Sequence, residues 1–281
     1  MTNTNNKQVQ AVIFDWAGTT VDFGCFAPLA AFMGAFEKKG IHVTDDEVRG
    51  PMGMKKKDHV RALTELDTVK QQFVDKFGRQ PNEQDIDDIY ADFEPMLMNV
   101  LSNHTDVIPG VLDLVSNLRS QGIKIGSTTG YTSEMMKVVT VEAAAKGYKP
   151  DYFIASDEVP YGRPAPYMCY KNAIELELFP LETCIKVGDT VSDILEGVNA
   201  GMWSVGVICG GSEFGLTEDQ MNKLDVAELE QRKQVVRDRF IAAGAHFTIE
   251  SIAGVTEIVA LVNEKLQNNQ FPQTSSIGGA N

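Results

Sequence analysis

Two hydrophobic rhythms alternate along the chain. At residues 11–14 four apolar residues in a row, Ala11, Val12, Ile13 and Phe14, run straight into Asp15, and Gly18 follows three places later. Unbroken apolar runs of this length belong to strands buried on both faces, as in parallel sheets, and the glycine marks the turn beyond. The rhythm then changes. Phe26, Leu29, Phe32, Met33 and Phe36 recur at helical spacing as far as Lys39-Gly40, with glycine at the expected C-terminal place. From Thr44 to about Asn103 the pattern stays helical. Thr44-Asp45-Asp46-Glu47 predicts a capping box, Val60, Leu63 and Leu66 recur, and a polar stretch at 78–85 leads into Ile86, Ile89, Phe93 and Leu97. No strand pattern interrupts this region.

Alternation of strand and helix resumes at Gly110. Val111, Leu112, Val115 and Leu118 predict a helix, and 122–130 a short strand ending in hydroxyls and glycine. A helix after Thr132 carries Met135, Met136, Val138, Val139 and Val141. Further strands are expected at 152–155, 184–189 and 203–208, a long charged helix or helix pair at 217–243, a last strand at 246–249 and a last helix at 255–266. Short strands alternating with helices imply βαβ units and a mostly parallel, right-handed sheet. The expected organisation is an α/β core at 1–22 and 104–266, an all-helical insert at 23–103, and a disordered Gln/Asn/Ser/Gly tail at 267–281.

Charge changes this picture by exclusion. With 25 Lys and Arg against 39 Asp and Glu, the formal charge is −14, which opposes binding to nucleic acid or to an anionic membrane surface. No apolar run approaches a membrane span, and the polar start at 1–6 is no signal peptide. Four scattered cysteines without a C-x-x-C pair argue against zinc or a disulfide framework. The expected location is the cytoplasm.

Three strand ends carry the candidate chemistry: Asp15, Thr128-Thr129 and Asp189. Open α/β sheets place ligands beyond the carboxyl ends of their strands, although a single such Asp could equally cap its turn. Asp193, one helical turn past Asp189, can face the same crevice. Clustered carboxylates call for a cation, and hard oxygen ligands suit Mg²⁺. Arg163, in the Gly162-Arg163-Pro164-Ala165-Pro166 stretch, reads as a cation on a rigid, exposed turn. In Lys55-Lys56-Lys57 charge alone suggests a solvated helix face. Helical spacing, however, puts Lys56 with Met52, His59, Val60 and Leu63, whereas Lys55 and Lys57 face elsewhere. A desolvated Lys56 would be a nucleophilic amine.

Over nearly its whole length the sequence resembles the haloacid dehalogenase (HAD) superfamily of phosphoryl-transfer enzymes. Asp15 matches that family's nucleophile, Thr129 its strand-end Ser/Thr, and Gly188-Asp189 through Asp193 its metal-binding acids. The resemblance implies a Rossmann-like core with an inserted helical cap, and an aspartyl-phosphate formed on Asp15. It also implies Mg²⁺ held by Asp15, Asp189 and the Ala17 carbonyl, with Asp193 as a further or outer ligand. Two positions depart from the generic pattern. The general acid expected two residues after the nucleophile is Ala17, a loss for any leaving alkoxide. The usual lysine beside proline is Arg163-Pro164.

The segments from Asp15 to Asp22, Met52 to His59 and Gly126 to Tyr131 resemble, within that superfamily, the phosphonatase family, whose members cleave the C–P bond of phosphonoacetaldehyde. That resemblance implies a Schiff base on Lys56 and a proton relay by His59. It implies phosphate binding by Thr129 and Gly130, with Thr128 as the alternative hydroxyl, and charge neutralisation by Arg163. Met52 and Tyr131 read either as the apolar pocket wall or as core packing. A small-molecule substrate from 2-aminoethylphosphonate breakdown and a homodimer through the caps are further implications. A generic HAD phosphatase or sugar-phosphate mutase is the alternative enzyme, and a catalytically silent binding module the alternative of another class.

Overall fold

The computed structural model describes residues 8–272, so the polar start and the 273–281 part of the expected tail lie outside the described residues. Six parallel strands form one sheet in the order β3-β2-β1-β4-β5-β6: β1 Ala11–Phe14, β2 Lys124–Thr128, β3 Tyr152–Ile154, β4 Cys184–Gly188, β5 Trp203–Val207 and β6 Phe247–Ile249. This is the doubly wound order, with its switch point between β1 and β4. All four β1 residues are buried because both faces are covered. Val12 and Phe14 join the large core cluster, while Ala11 and Ile13 pack on the opposite side with Cys169, Ala173 and Leu176.

Five helices separate β1 from β2: α1 Phe26–Lys38, α2 Asp45–Arg49, α3 Lys56–Thr64, α4 Asp67–Phe77 and α5 Glu83–Leu101. They build a helical cap around Phe32, Phe36, Phe73, Phe93 and Leu97, with Phe32 stacked on Phe93 at 4.1 Å between centroids. The capping box at Thr44 forms, the hydroxyl and the Glu47 carboxylate each accepting the other's backbone N–H. The two chain crossings beside the cap are tied together: Val21 bridges Val107, and Ile108 N–H donates to Thr20 O at 2.9 Å.

The remaining helices flank the sheet: α6 Val111–Ser120, α7 Ser133–Ala145, α8 Tyr167–Glu175, α9 Val191–Asn199, α10 Glu218–Met221, α11 Val226–Ala242 and α12 Val255–Gln267. The charged 217–243 stretch is thus a helix pair. Two local expectations shift. Gln267 closes α12 rather than opening a tail, because Leu266 still packs in the core. Helix α3 begins only at Lys56, so Met52 is not on its face; residues 50–55 form a turn held by Met52 N–H to Arg49 O.

Candidate active site

At the switch point β1 delivers Asp15 and β4 delivers Asp189, and the first turn of α9 adds Asp193. Ligand atoms of all three lie within 4.8 Å of one another, and all three are buried. Asp189 Oδ1 accepts from the Thr19 hydroxyl at 2.7 Å and Oδ2 from Ser212 N–H at 2.7 Å. Burial, then the neighbouring Asp15 and Asp193, push its carboxyl well above the usual range. Burial raises Asp15 as well, against the pull of Arg163. Asp193 goes the other way: burial would raise it, but Arg163 and Lys186 hold it low.

Arg163 is a correction to the exposed turn. Its side chain is fully buried, and its guanidinium reaches Asp15 Oδ1 at 2.9 Å, Glu196 Oε2 at 2.8 Å, Asp193 Oδ1 at 3.0 Å and the Thr128 hydroxyl at 2.6 Å. Gly and Pro favour turns and turns favour the surface, but three buried carboxylates outweigh that tendency here. Sequence reasoning missed Lys186 and Glu196, both fully buried. Lys186 Nζ lies 2.5 Å from Asp193 Oδ1, and Glu196 Oε2 accepts from Thr128 Oγ1 at 2.9 Å. The signals were a lysine inside an apolar strand and an acid three residues past Asp193. Asp15, Asp189, Asp193 and Glu196 face only two cations in this cluster, Arg163 and Lys186, which leaves two negative charges. One divalent cation would cancel them, so the residues present fit a metal held by Asp15 and Asp189 with Asp193 behind.

Thr128 is consumed by this network, whereas Thr129, the first residue beyond β2, lines the adjoining cavity. Thr129 Oγ1 accepts from Tyr131 N–H at 3.1 Å and keeps its own proton to donate. The cavity, of about 20 Å³, is walled by Asp15, Ala17, Met52, Gly53, Lys56, Thr129, Gly130, Tyr131 and Arg163, together with Cys25 and Thr190. Core and cap therefore both contribute to it. Cys25 carried no signal in the sequence beyond being one of four thiols.

Lys56 is 4% exposed, and Lys55 and Lys57 are half-buried. Its Nζ sits over the rings of Tyr131 at 4.8 Å and Phe32 at 5.8 Å. Burial pulls its pKa below the ordinary lysine value. His59 lies on the same helix, outside the cavity wall, its ring tilted against Phe32 at 3.9 Å between centroids. Its Nε2 is 2.8 Å from Val48 O; a carbonyl only accepts, so Nε2 carries the proton and Nδ1 is a buried acceptor without a partner among the described residues. Burial, then the Lys56 charge, drive its pKa well down and keep the ring neutral.

The haloacid dehalogenase-like hydrolase family model matches residues 9–201. A phosphonoacetaldehyde hydrolase of Bacillus cereus (strain G9842) is 53% identical over 258 residues, 92% of this chain and 98% of the relative. One from Bacillus cytotoxicus is 51% identical over the same shares. The solved structure of a phosphonoacetaldehyde hydrolase-like protein from Oleispira antarctica superposes with a TM-score of 0.91 at 39% identity, covering 94% of this chain and 96% of that one. A β-phosphoglucomutase from Clostridium difficile shares the fold alone, with a TM-score of 0.64 at 16% identity over 93% and 100% of the chains. Sheet order, site and relatives agree that the chain is a haloacid dehalogenase-like hydrolase and belongs, within that superfamily, to the family of the phosphonoacetaldehyde hydrolases.

Proposed function

We propose that this enzyme hydrolyses the C–P bond of phosphonoacetaldehyde to acetaldehyde and phosphate, in the breakdown of 2-aminoethylphosphonate. The observation that carries the reading is one small cavity holding both a buried carboxylate nucleophile, Asp15, and a buried lysine, Lys56, with Ala17 where an acid would protonate a leaving alkoxide. A bare carbanion is far too basic to leave, so the carbon needs an electron sink. The Lys56 amine condenses with the aldehyde, losing water, and the protonated imine supplies that sink. Asp15 attacks phosphorus in line; the C–P electrons move into the imine, giving an enamine and an aspartyl-phosphate. Protonation at carbon and hydrolysis of the imine release acetaldehyde and restore Lys56. Water cleaves the phosphate from Asp15.

Thr129 donates its hydroxyl to the phosphonate, the Gly130 backbone lets it approach closely, and Arg163 holds Asp15 in place and offsets the anionic charge. Met52 and Tyr131 form the apolar wall that keeps Lys56 desolvated. His59, neutral with Nδ1 free, relays protons to and from the amine through water. A divalent cation such as Mg²⁺, held by Asp15, Asp189 and the Ala17 carbonyl with Asp193 behind, would neutralise phosphonate oxygens. The cap spans 23–103 in this reading, and two copies pair through it, which sedimentation would check. Borohydride trapping with phosphonoacetaldehyde and peptide mass mapping test the mechanism. A reduced adduct on Lys56 is expected. No adduct, together with phosphate release from ordinary phosphate esters, would overturn the reading in favour of a generic HAD phosphatase.

A further inference from the structure

Arg49 closes the short helix α2 in the cap, yet its side chain is buried in the core. Nη1 donates to Gly24 O at 3.0 Å, Ser212 O at 3.0 Å and the Ser212 hydroxyl at 3.3 Å. The guanidinium lies over the Phe26 ring at 5.1 Å, and Nη2 is buried without a partner among the described residues. Neutral oxygens, not a carboxylate, receive this charge, so the arrangement is costly as a mere ion. The backbone is shaped for it. Gly215 has φ +68°, and a Cβ there would stand 3.0 Å from Arg49 Nε; Gly24 has φ +88°, and its Cβ would meet Leu216 O at 2.9 Å. Any side chain at Gly215 would be strained and would crowd the guanidinium.

Both ends of this contact lead to the site. Ser212, which accepts from Arg49 with its carbonyl and hydroxyl, donates its own N–H to Asp189 Oδ2 at 2.7 Å. On the cap side, Arg49 O accepts from Met52 N–H at 3.1 Å and so starts the turn that brings Met52 and Gly53 to the cavity wall. We propose that Arg49 is a positioning residue that clamps the cap to the core and, through Ser212, fixes the orientation of Asp189 while it sets the 50–55 turn. The inference rests on the reading of Asp189 as a metal-holding acid.

The test compares wild type, Arg49→Lys and Arg49→Met. Mn²⁺ affinity is read from the electron paramagnetic resonance of free ion, amide exchange at 209–216 is followed in metal-free protein, and kcat and KM are measured separately. Lysine keeps the charge but lacks the planar guanidinium that lies over Phe26 and carries Nη1 to its three acceptors. Both variants are expected to bind Mn²⁺ about tenfold more weakly, as for loss of an outer partner of a metal ligand. Exchange at 209–216 should quicken, and kcat/KM should fall about 100-fold, mostly in kcat. If Arg49→Met does not fold, Arg49→Lys alone carries the test. A variant with lowered Tm but wild-type Mn²⁺ affinity and unchanged exchange would overturn the proposal and leave Arg49 a structural residue. These two readouts need no substrate. Their failure is therefore distinct from failure of the C–P reading, which shows instead as a wild type without a Lys56 adduct.

Discussion

Gly130 is where the cap presses on the core, and a single methyl group there should disable the enzyme without unfolding it. An added Cβ would lie 2.5 Å from Met54 O and 2.7 Å from Gly53 O. Both atoms are backbone and cannot swing aside. Restoring ordinary contact at 3.4 Å requires the 50–55 turn to retreat by about 0.9 Å. That turn carries Met52 and Gly53, leads directly into Lys56, and receives Arg163 Nη1 on Gly53 O at 3.4 Å. A misplacement of roughly 1 Å among positioned groups costs about 100-fold in rate. That is about 2.7 kcal/mol of transition-state stabilisation. Because Gly130 does not have a positive φ, alanine brings no backbone strain, and the folding cost is that of local overpacking, about 1–3 kcal/mol. We expect Gly130→Ala to lose about 100-fold in kcat/KM for phosphate release from phosphonoacetaldehyde, with an unchanged far-ultraviolet circular dichroism spectrum. Activity within about threefold of wild type would refute the reasoning, since the cap would then not need to seat on Gly130.

Three further outcomes follow from the site and its hinge. Imine formation needs the free amine, and burial lowers the Lys56 pKa, so borohydride trapping should rise with pH to a midpoint below 10.5; a midpoint at or above that value would contradict a desolvated lysine. Chelation with EDTA should abolish phosphate release yet leave the Lys56 adduct detectable by mass, because aldehyde condensation does not draw on the carboxylate cluster; phosphate release that survives chelation would remove the metal from the reading. At the hinge, His104 Nδ1 lies 3.0 Å from Asp22 Oδ1, and that hydrogen bond raises the His104 pKa above 6.5. The folded state then holds the proton more tightly than the unfolded one. The pair's stabilisation is fully present below the unfolded value and is lost as pH rises through the folded one. His104→Gln should lower Tm near about pH 5.5 and leave it unchanged near about pH 9, and equal losses at both would sink the argument.

Much of this was legible in the chain because hydrophobic period reports burial. Ala11–Phe14 reads as a two-faced strand because both its faces are in fact covered, and the unbroken helical pattern of the insert reflects helices packed on one another. Lys56 was separable from Lys55 and Lys57 by its spacing to His59, Val60 and Leu63, all on the buried side of α3. The link to Met52 by the same rule was not physical, since the helix starts at Lys56 and Met52 reaches the cavity through a turn. What the pattern did not show depends on partners distant in sequence. Arg163 sits among turn formers, and only Asp15, Asp193 and Glu196 bring it inside. The role of Arg49 depends on Gly24, Ser212 and Gly215, none of which signals an arginine cradle by itself.

Lys56 and Lys186 show why burial alone does not assign chemistry. Both are buried, and in both burial acts first to disfavour the charge. Lys186 has Asp193 Oδ1 at 2.5 Å and Glu196 Oε2 at 3.6 Å, and these carboxylates outweigh desolvation, so its pKa rises and it remains a fixed cation. Lys56 meets the faces of Tyr131 and Phe32, which favour a cation far less than a contacting carboxylate does, and its pKa falls. With Lys186 and Arg163 offsetting two of the four carboxylates, and a divalent cation the other two in the proposed reading, Lys56 is not required there as a counter-ion. A carboxylate at position 17, in the wall of the same cavity, would stand ready to pair with Lys56 and turn it into a second Lys186. On this reading, Ala17 withholds an acid that the leaving carbon does not use and leaves Lys56 as the nucleophilic amine that the reaction requires.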